Sequence, residues 1–108
     1  MTVMTGAEAI IKSLSVNGVD TVFGLPGGQL DYLFDAMYKE GDNIRLIHTR
    51  HEQGVAYMAY GYARSTGKVG VYTVVPGPGL LNSAAALCTA WANFTPVMCI
   101  SGQIPSTA

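Results

Sequence analysis

Apolar positions recur along this chain in two alternating rhythms, one of helical period and one of short continuous runs typical of buried strands. After Thr5, the spacing of Ala9, Ile10 and Leu14, with Ile11 beside them, predicts an amphipathic helix. Thr5-Gly6-Ala7-Glu8 supplies its capping box, and Asn17-Gly18 is a good left-handed stop. Thr21-Val22-Phe23 reads as a short strand ended by Gly24-Leu25-Pro26-Gly27-Gly28. A second helix is expected from about Leu30 to Lys39, with Leu30, Leu33, Phe34 and Met37 on one face. Gly41-Asp42-Asn43 turns the chain into a strand from Ile44 to His48. Val55, Met58, Ala59 and Tyr62 then give helical spacing to Glu52–Arg64, which Thr66-Gly67 closes. The β-branched run Val69–Val75 is a buried strand, Pro76-Gly77-Pro78-Gly79 interrupts it, and Leu80–Asn93 is an alanine-rich helix. Pro96 introduces a last strand, Val97–Ser101.

The order α-βα-βα-βα-β predicts an α/β fold: a three-layer sandwich with a mostly parallel sheet and helices on both faces. In such sheets ligands gather beyond the carboxyl ends of the strands. Those ends carry Leu25-Pro26-Gly27-Gly28, Thr49-Arg50-His51-Glu52, Pro76-Gly77-Pro78-Gly79 and Gly102-Gln103. The rim is rich in glycine, poor in charge, and holds one carboxylate.

Charge changes the picture further. Only 12% of the 108 residues are charged against 49% hydrophobic, and the net charge of −1 gives no basic footprint for nucleic acid. Every carboxylate precedes Gln53, and nothing after Lys68 is charged. The stretch from Val69 to Ala108 is therefore expected to be covered, either by a second copy or by the rest of a longer protein. No apolar run is long enough for a membrane span, and Met1-Thr2-Val3-Met4-Thr5 lacks the basic and apolar regions of a secretory leader, so a cytoplasmic location is expected. Cys88 and Cys99 form neither a disulfide framework nor a CxxC site, and are expected to be buried thiols.

Several motifs invite chemistry. Gly77-Pro78-Gly79-Leu80-Leu81-Asn82 approaches the dinucleotide pattern GxGxxG, but Asn82 replaces the third glycine and no acid lies downstream to hold a ribose. Pro78 also removes a backbone N–H where phosphate binding needs donors, so the loop suits a flat ring better than a diphosphate. His48 and His51 are spaced as HxxH without further ligands, and no metal site is expected. Arg50, Arg64 and Lys68 read as solvated or paired, and Tyr57, Met58, Tyr60 and Tyr62 as packing groups. Glu52 stands at a helix start, where the macrodipole favours its ionised form. Spacing alone names no partner for it.

Three stretches taken together carry a resemblance. They are Val22-Phe23-Gly24-Leu25-Pro26-Gly27-Gly28, Arg50-His51-Glu52-Gln53-Gly54 running on to Gly61-Tyr62-Ala63-Arg64-Ser65-Thr66-Gly67-Lys68-Val69-Gly70-Val71, and Gly77-Pro78-Gly79-Leu80-Leu81-Asn82. Ser101-Gly102-Gln103-Ile104-Pro105 extends them. The chain resembles the pyrimidine-binding (PYR) domain of thiamine-diphosphate enzymes, nearest to the catalytic subunit of acetolactate synthases. The resemblance implies that Glu52 hydrogen-bonds a ring nitrogen of the cofactor's aminopyrimidine and favours the tautomer that deprotonates the thiazolium carbon. Decarboxylation of a 2-oxo acid such as pyruvate, and carboligation, would follow. It implies further that Pro26 touches the cofactor and that Gly27 and Gly28 reach toward a partner subunit's thiazolium. Pro78 and Asn82 would line the aminopyrimidine, and Gln103 would face the reacting centre. A proton-sharing Glu52 is expected to have a raised pKa, with desolvation outweighing the helix dipole.

The family holds the diphosphate through Mg²⁺ on a second domain with a Gly-Asp-Gly…Asn-Asn motif, which this chain does not contain. The 108 residues are thus expected to be the N-terminal part of a PYR domain, inactive alone and part of a homo-oligomer. FAD stays open as an additional cofactor. Gln29, Val75-Pro76 and Tyr60 depart from the residues usual in acetolactate synthases. Benzaldehyde lyase-like, oxalyl-CoA decarboxylase-like and pyruvate oxidase-like activities therefore stay open, as does a non-catalytic binding module.

Overall fold

The computed structural model describes residues 3–107; Met1 and Thr2, part of the stretch read for a leader, and Ala108, the end of the uncharged stretch, lie outside the described residues. Helix α1 (Gly6–Val16) opens where expected, because the Thr5 hydroxyl accepts the Glu8 N–H at 3.1 Å. It closes with Gly18 in the left-handed region at φ +83°. Strand β1 (Thr21–Gly24) follows, then a 3₁₀ turn (Gly28–Leu30) and α2 (Asp31–Glu40). Strand β2 (Arg45–Ile47), α3 (Glu52–Thr66), β3 (Gly70–Val74), α4 (Pro78–Ala92) and β4 (Val97–Ser101) complete the chain.

The four strands of the described residues are all parallel, in the order β2-β1-β3-β4. The register pairs Val22 with Leu46 and Val71, and Val71 with Met98, so one sheet face carries this row. Val22 and Val71 bury against Ile11, Leu14, Leu33 and Met37 of α1 and α2. The alternate row, Phe23, Tyr72 and Val74, buries against Val55, Ala56 and Ala59 of α3 and Ala86 of α4. Helices therefore cover both faces, and the three-layer parallel architecture is as the sequence predicts. Burying each large aliphatic side chain of these rows is worth about 1.5–3 kcal/mol. Small residues set the closeness of the second layer: a Cβ at Gly70 would overlap the carbonyl oxygen of Ala59 on α3.

Several expectations need correction. Helix α4 begins at Pro78 rather than Leu80, since a proline at the first helical position loses no intrahelical hydrogen bond and has the right φ. Strands β2 and β3 are shorter at each end than the apolar runs, and Gly28–Leu30 winds as 3₁₀ before α2. Ile10 and Met58, expected inside, are about two-fifths exposed, because Ile11 and Ala59 take the inward positions beside them. Neither cysteine is buried: Cys88 is exposed on α4 and Cys99 half-buried on β4. The stripe of α4 that faces inward is Gly79, Ser83, Ala86 and Ala90, which turns Cys88 outward.

The topology also decides where a ligand can sit. From β1 the chain crosses to β2 through α2 on one face, and reaches β3 on the other side of β1 through α3 on the opposite face. The carboxyl ends of β1 and β3 thus flank the switch point of the sheet, where α/β folds open a crevice.

Candidate functional site

Loops after β1 and β3 close on one another at this crevice. The Leu25 N–H donates to the Thr73 carbonyl at 3.3 Å, continuing the ladder past the strand ends. Beyond it, the backbone of Gly27 lies directly on Val75: any Cβ at Gly27 would overlap Val75 Cγ1. On the other side of the same side chain, a Cβ at Gly79 would come within 2.6 Å of Val75 Cγ2 and 3.5 Å of Glu52 Oε2. Val75 is therefore wedged between two glycines, and the second of them floors the Glu52 carboxylate.

Glu52 is the first residue of α3. His51 caps that helix in an extended conformation, its Nδ1 accepting the Gln53 N–H at 3.0 Å. This bond assigns the proton of a neutral His51 to Nε2. The Thr49 hydroxyl donates to the His51 carbonyl at 2.6 Å and braces the turn. From α4, Asn82 Nδ2 donates to Glu52 Oε1 at 3.1 Å. That amide, followed by the backbone of Glu52's own turn, holds the carboxyl below its usual range against an opposing push from partial burial. The raised pKa expected for Glu52 is thus corrected for this chain, because hydrogen bonding to the ionised form outweighs the desolvation of a half-open rim.

The other predicted residues surround this pair at different ranges. Pro26 is exposed in the loop after β1, Gly27 abuts Val75, and Gly28 starts the 3₁₀ turn. Pro78 is exposed at the first position of α4. Gln103 lies past β4, where its Oε1 accepts the Ile104 N–H at 2.8 Å and its side chain is exposed. Its neighbour Gly102 donates to the Val74 carbonyl at 3.2 Å. A Cβ at Gly102 would meet the Gln29 carbonyl oxygen at 2.9 Å, so Gln103 stands beside the Gly28-Gln29 loop. Of the named set, Glu52 and Asn82 are brought together by a side-chain hydrogen bond. Val75 and Gly79 were missed as site residues, and the Gly-Pro-Gly motif that contains Gly79 was the available signal.

In chemical terms the crevice offers one ionised acceptor on a glycine-lined, otherwise uncharged floor. Among the described residues, no group of three His, Cys, Asp or Glu side chains could hold a metal ion, and no helix is long and apolar enough to cross a membrane.

Comparisons with known proteins address the same residues. The family model described as thiamine pyrophosphate enzyme, N-terminal TPP binding domain, matches residues 4–108. An acetolactate synthase of Arthrospira platensis is 46% identical over 107 residues, which cover 97% of this chain and 18% of that protein. The acetolactate synthase large subunit of Haemophilus influenzae is 46% identical over 103 residues, covering 95% of this chain and 18% of the relative. The isozyme 2 large subunit of Escherichia coli is 44% identical over 101 residues, covering 94% and 18% respectively. The chain spans less than a fifth of the length of these curated relatives.

Proposed function

The chain belongs to the thiamine pyrophosphate enzymes, matching their N-terminal TPP-binding domain, and on that footing we propose that its rim binds the aminopyrimidine half of thiamine diphosphate. The observation that supports this most is the Glu52–Asn82 pair above Gly79. Asn82 occupies Oε1 and orients the carboxylate, which leaves Oε2 for a ring nitrogen. Gly27 and Gly79 let two backbone segments close on Val75 beside the carboxylate, and the apolar, uncharged lining this leaves around Glu52 suits a planar heterocycle.

Glu52 enters ionised. A ring laid over it expels water and pushes its pKa upward, which is the condition for sharing a proton with the ring nitrogen. Pro26, Gly28 and Pro78 bound the crevice, and Gln103 is assigned to the side of a small 2-oxo acid. When bound, the cofactor supplies a carbon acid and an electron sink for decarboxylation. The activity we assign to the whole protein is acetolactate synthase-like decarboxylation and carboligation, in keeping with its named relatives. Mg²⁺ and the diphosphate would be held by residues beyond this chain. Leu81, Trp91, Phe94, Met98 and Ile104 all follow the last charge and are all exposed, which supports assembly of this half with a second copy. We place the protein in the cytoplasm.

The test is a titration of the isotope-labelled chain with thiamine diphosphate and Mg²⁺, followed by amide NMR. Shifts should concentrate at Glu52, Gly79 and Asn82, and Glu52→Gln should remove them while the fold persists. In the assembled enzyme the same substitution should slow hydrogen–deuterium exchange at the thiazolium carbon by roughly 10²–10⁴-fold. An exchange rate left unchanged by Glu52→Gln in the assembled enzyme would overturn the reading.

A further inference from the structure

Beneath the rim, in the layer between the sheet and helices α3 and α4, a polar seam crosses otherwise apolar packing. Tyr72 of β3 and Ser83 of α4 are both wholly buried, with their hydroxyls 2.9 Å apart. Ser83 Oγ also donates to the Leu80 carbonyl at 2.7 Å. A serine has one hydroxyl proton, so that bond makes Tyr72 the donor in the shared one. Cys99 of β4 is half-buried in the same layer, and burial raises the pKa values of both the Tyr72 hydroxyl and the Cys99 thiol, which keeps them protonated. The chain of donors therefore runs from Tyr72 of β3 through Ser83 to the Leu80 carbonyl in the first turn of α4.

Packing alone does not call for this seam. The rest of the inward stripe of α4 is Gly79, Ala86 and Ala90, with half-buried Leu80 and Leu87 beside it and a Tyr57–Thr89 hydroxyl contact to α3 at its outer edge, and the apolar part of this packing leaves the helix some freedom to turn about its axis. A hydrogen bond is directional and removes that freedom. Asn82 precedes Ser83 on the same turn. With side-chain tips about 5–6 Å from the helix axis, a rotation of about 20° displaces them by about 2 Å. That displacement is enough to break the 3.1 Å bond from Asn82 to Glu52.

We propose that Tyr72 and Ser83 are positioning residues whose buried hydrogen bond fixes the rotation of α4 and so holds Asn82 on Glu52. The proposal rests on reading Glu52 and Asn82 as the cofactor-facing pair, but its test needs no cofactor. The full chain contains three glutamates, Glu8, Glu40 and Glu52, so carboxyl-¹³C labelling gives three titrations, with Glu52→Gln assigning the third. Tyr72→Phe, Ser83→Ala and Asn82→Ala are compared with Ile11→Val, which loosens the opposite core layer. Asn82→Ala should move the Glu52 titration to higher pH. Tyr72→Phe and Ser83→Ala should cover a large part of the same distance, and Ile11→Val none of it. A folded Ser83→Ala or Tyr72→Phe chain whose Glu52 titrates as in the parent overturns the proposal, as does an equal shift in Ile11→Val. If one of the two unfolds, the other decides; unfolding of both with Ile11→Val intact makes the seam structural only and also overturns it. Should Glu52 respond as expected while Glu52→Gln leaves thiazolium exchange in the assembled enzyme unchanged, the positioning role stands and the cofactor reading fails.

Discussion

Replacing Gly79 by alanine tests the floor of the crevice most directly. The new Cβ would lie 2.6 Å from Val75 Cγ2, where carbon atoms ordinarily rest about 3.5–4.0 Å apart, so about 1 Å must be found. Val75 is β-branched, with a stiff χ1, and is gripped from its other side by Gly27. Overpacking of this kind costs about 1–3 kcal/mol, while alanine in place of glycine inside a helix returns about 1 kcal/mol. A net loss of about 0–2 kcal/mol follows, or at most about 16 °C in Tm for a chain of this size. Urea unfolding followed by far-ultraviolet circular dichroism is the assay, because Trp91 is 85% exposed and reports folding poorly. Val75→Ala removes the obstructing methyls, so the double variant should be more stable than the two single changes add up to, by about 1 kcal/mol. Cofactor binding should stay weak in both chains, since the methyl 3.5 Å from Glu52 Oε2 remains in the double variant. A cycle additive to within about 0.3–0.5 kcal/mol would refute the claim that Val75 is wedged between the glycines.

Other outcomes follow from the same geometry. Gly70→Ala sets a Cβ into the Ala59 carbonyl, which is helix backbone and cannot rotate away, so a loss of about 3 kcal/mol or more is expected in thermal melts. Stability against pH should show the Glu52–Asn82 bond: a carboxyl with a lowered folded-state pKa stabilises above its unfolded value of about 4.5, and that contribution is lost as pH falls through the lower folded value. The gap between the parent and Asn82→Ala in urea titrations should therefore be full at neutral pH and close in the acid range. Ala85 is exposed on α4 whereas Ala86 is 1% exposed, so Ala85→Glu should dissociate an assembly formed through α4 without unfolding the chain. Ala86→Glu should unfold it, and sedimentation with circular dichroism separates the two.

Local rules are written into short stretches, and those parts were legible from the sequence. Thr5 caps α1 as its capping box requires, Gly67 ends α3 in the left-handed region, and alternating helices and β-branched runs lead to parallel strands between two helical layers. The rim could be located too, because parallel topology puts every strand's carboxyl end on one side. Glu52 was visible as the one acid there, and motif resemblance supplied a role that spacing alone did not.

Tertiary structure decided the rest. Glu52 and Asn82 are 30 residues apart, and their contact depends on the strand order β2-β1-β3-β4 and on the rotation of α4, neither of which periodicity encodes. The sign of the Glu52 pKa shift hung on that contact: a sequence can place a carboxylate at a helix start and among apolar residues, but the balance of donors against desolvation is set at ångström range. Val75 gave no sign of being a wedge, because its meaning comes from two glycines that meet it from separate segments, the loop after β1 and the first turn of α4. The Tyr72–Ser83 seam was hidden for the same reason, since a tyrosine in a strand and a serine in an alanine helix become a donor–acceptor pair only once the helix lies across the sheet.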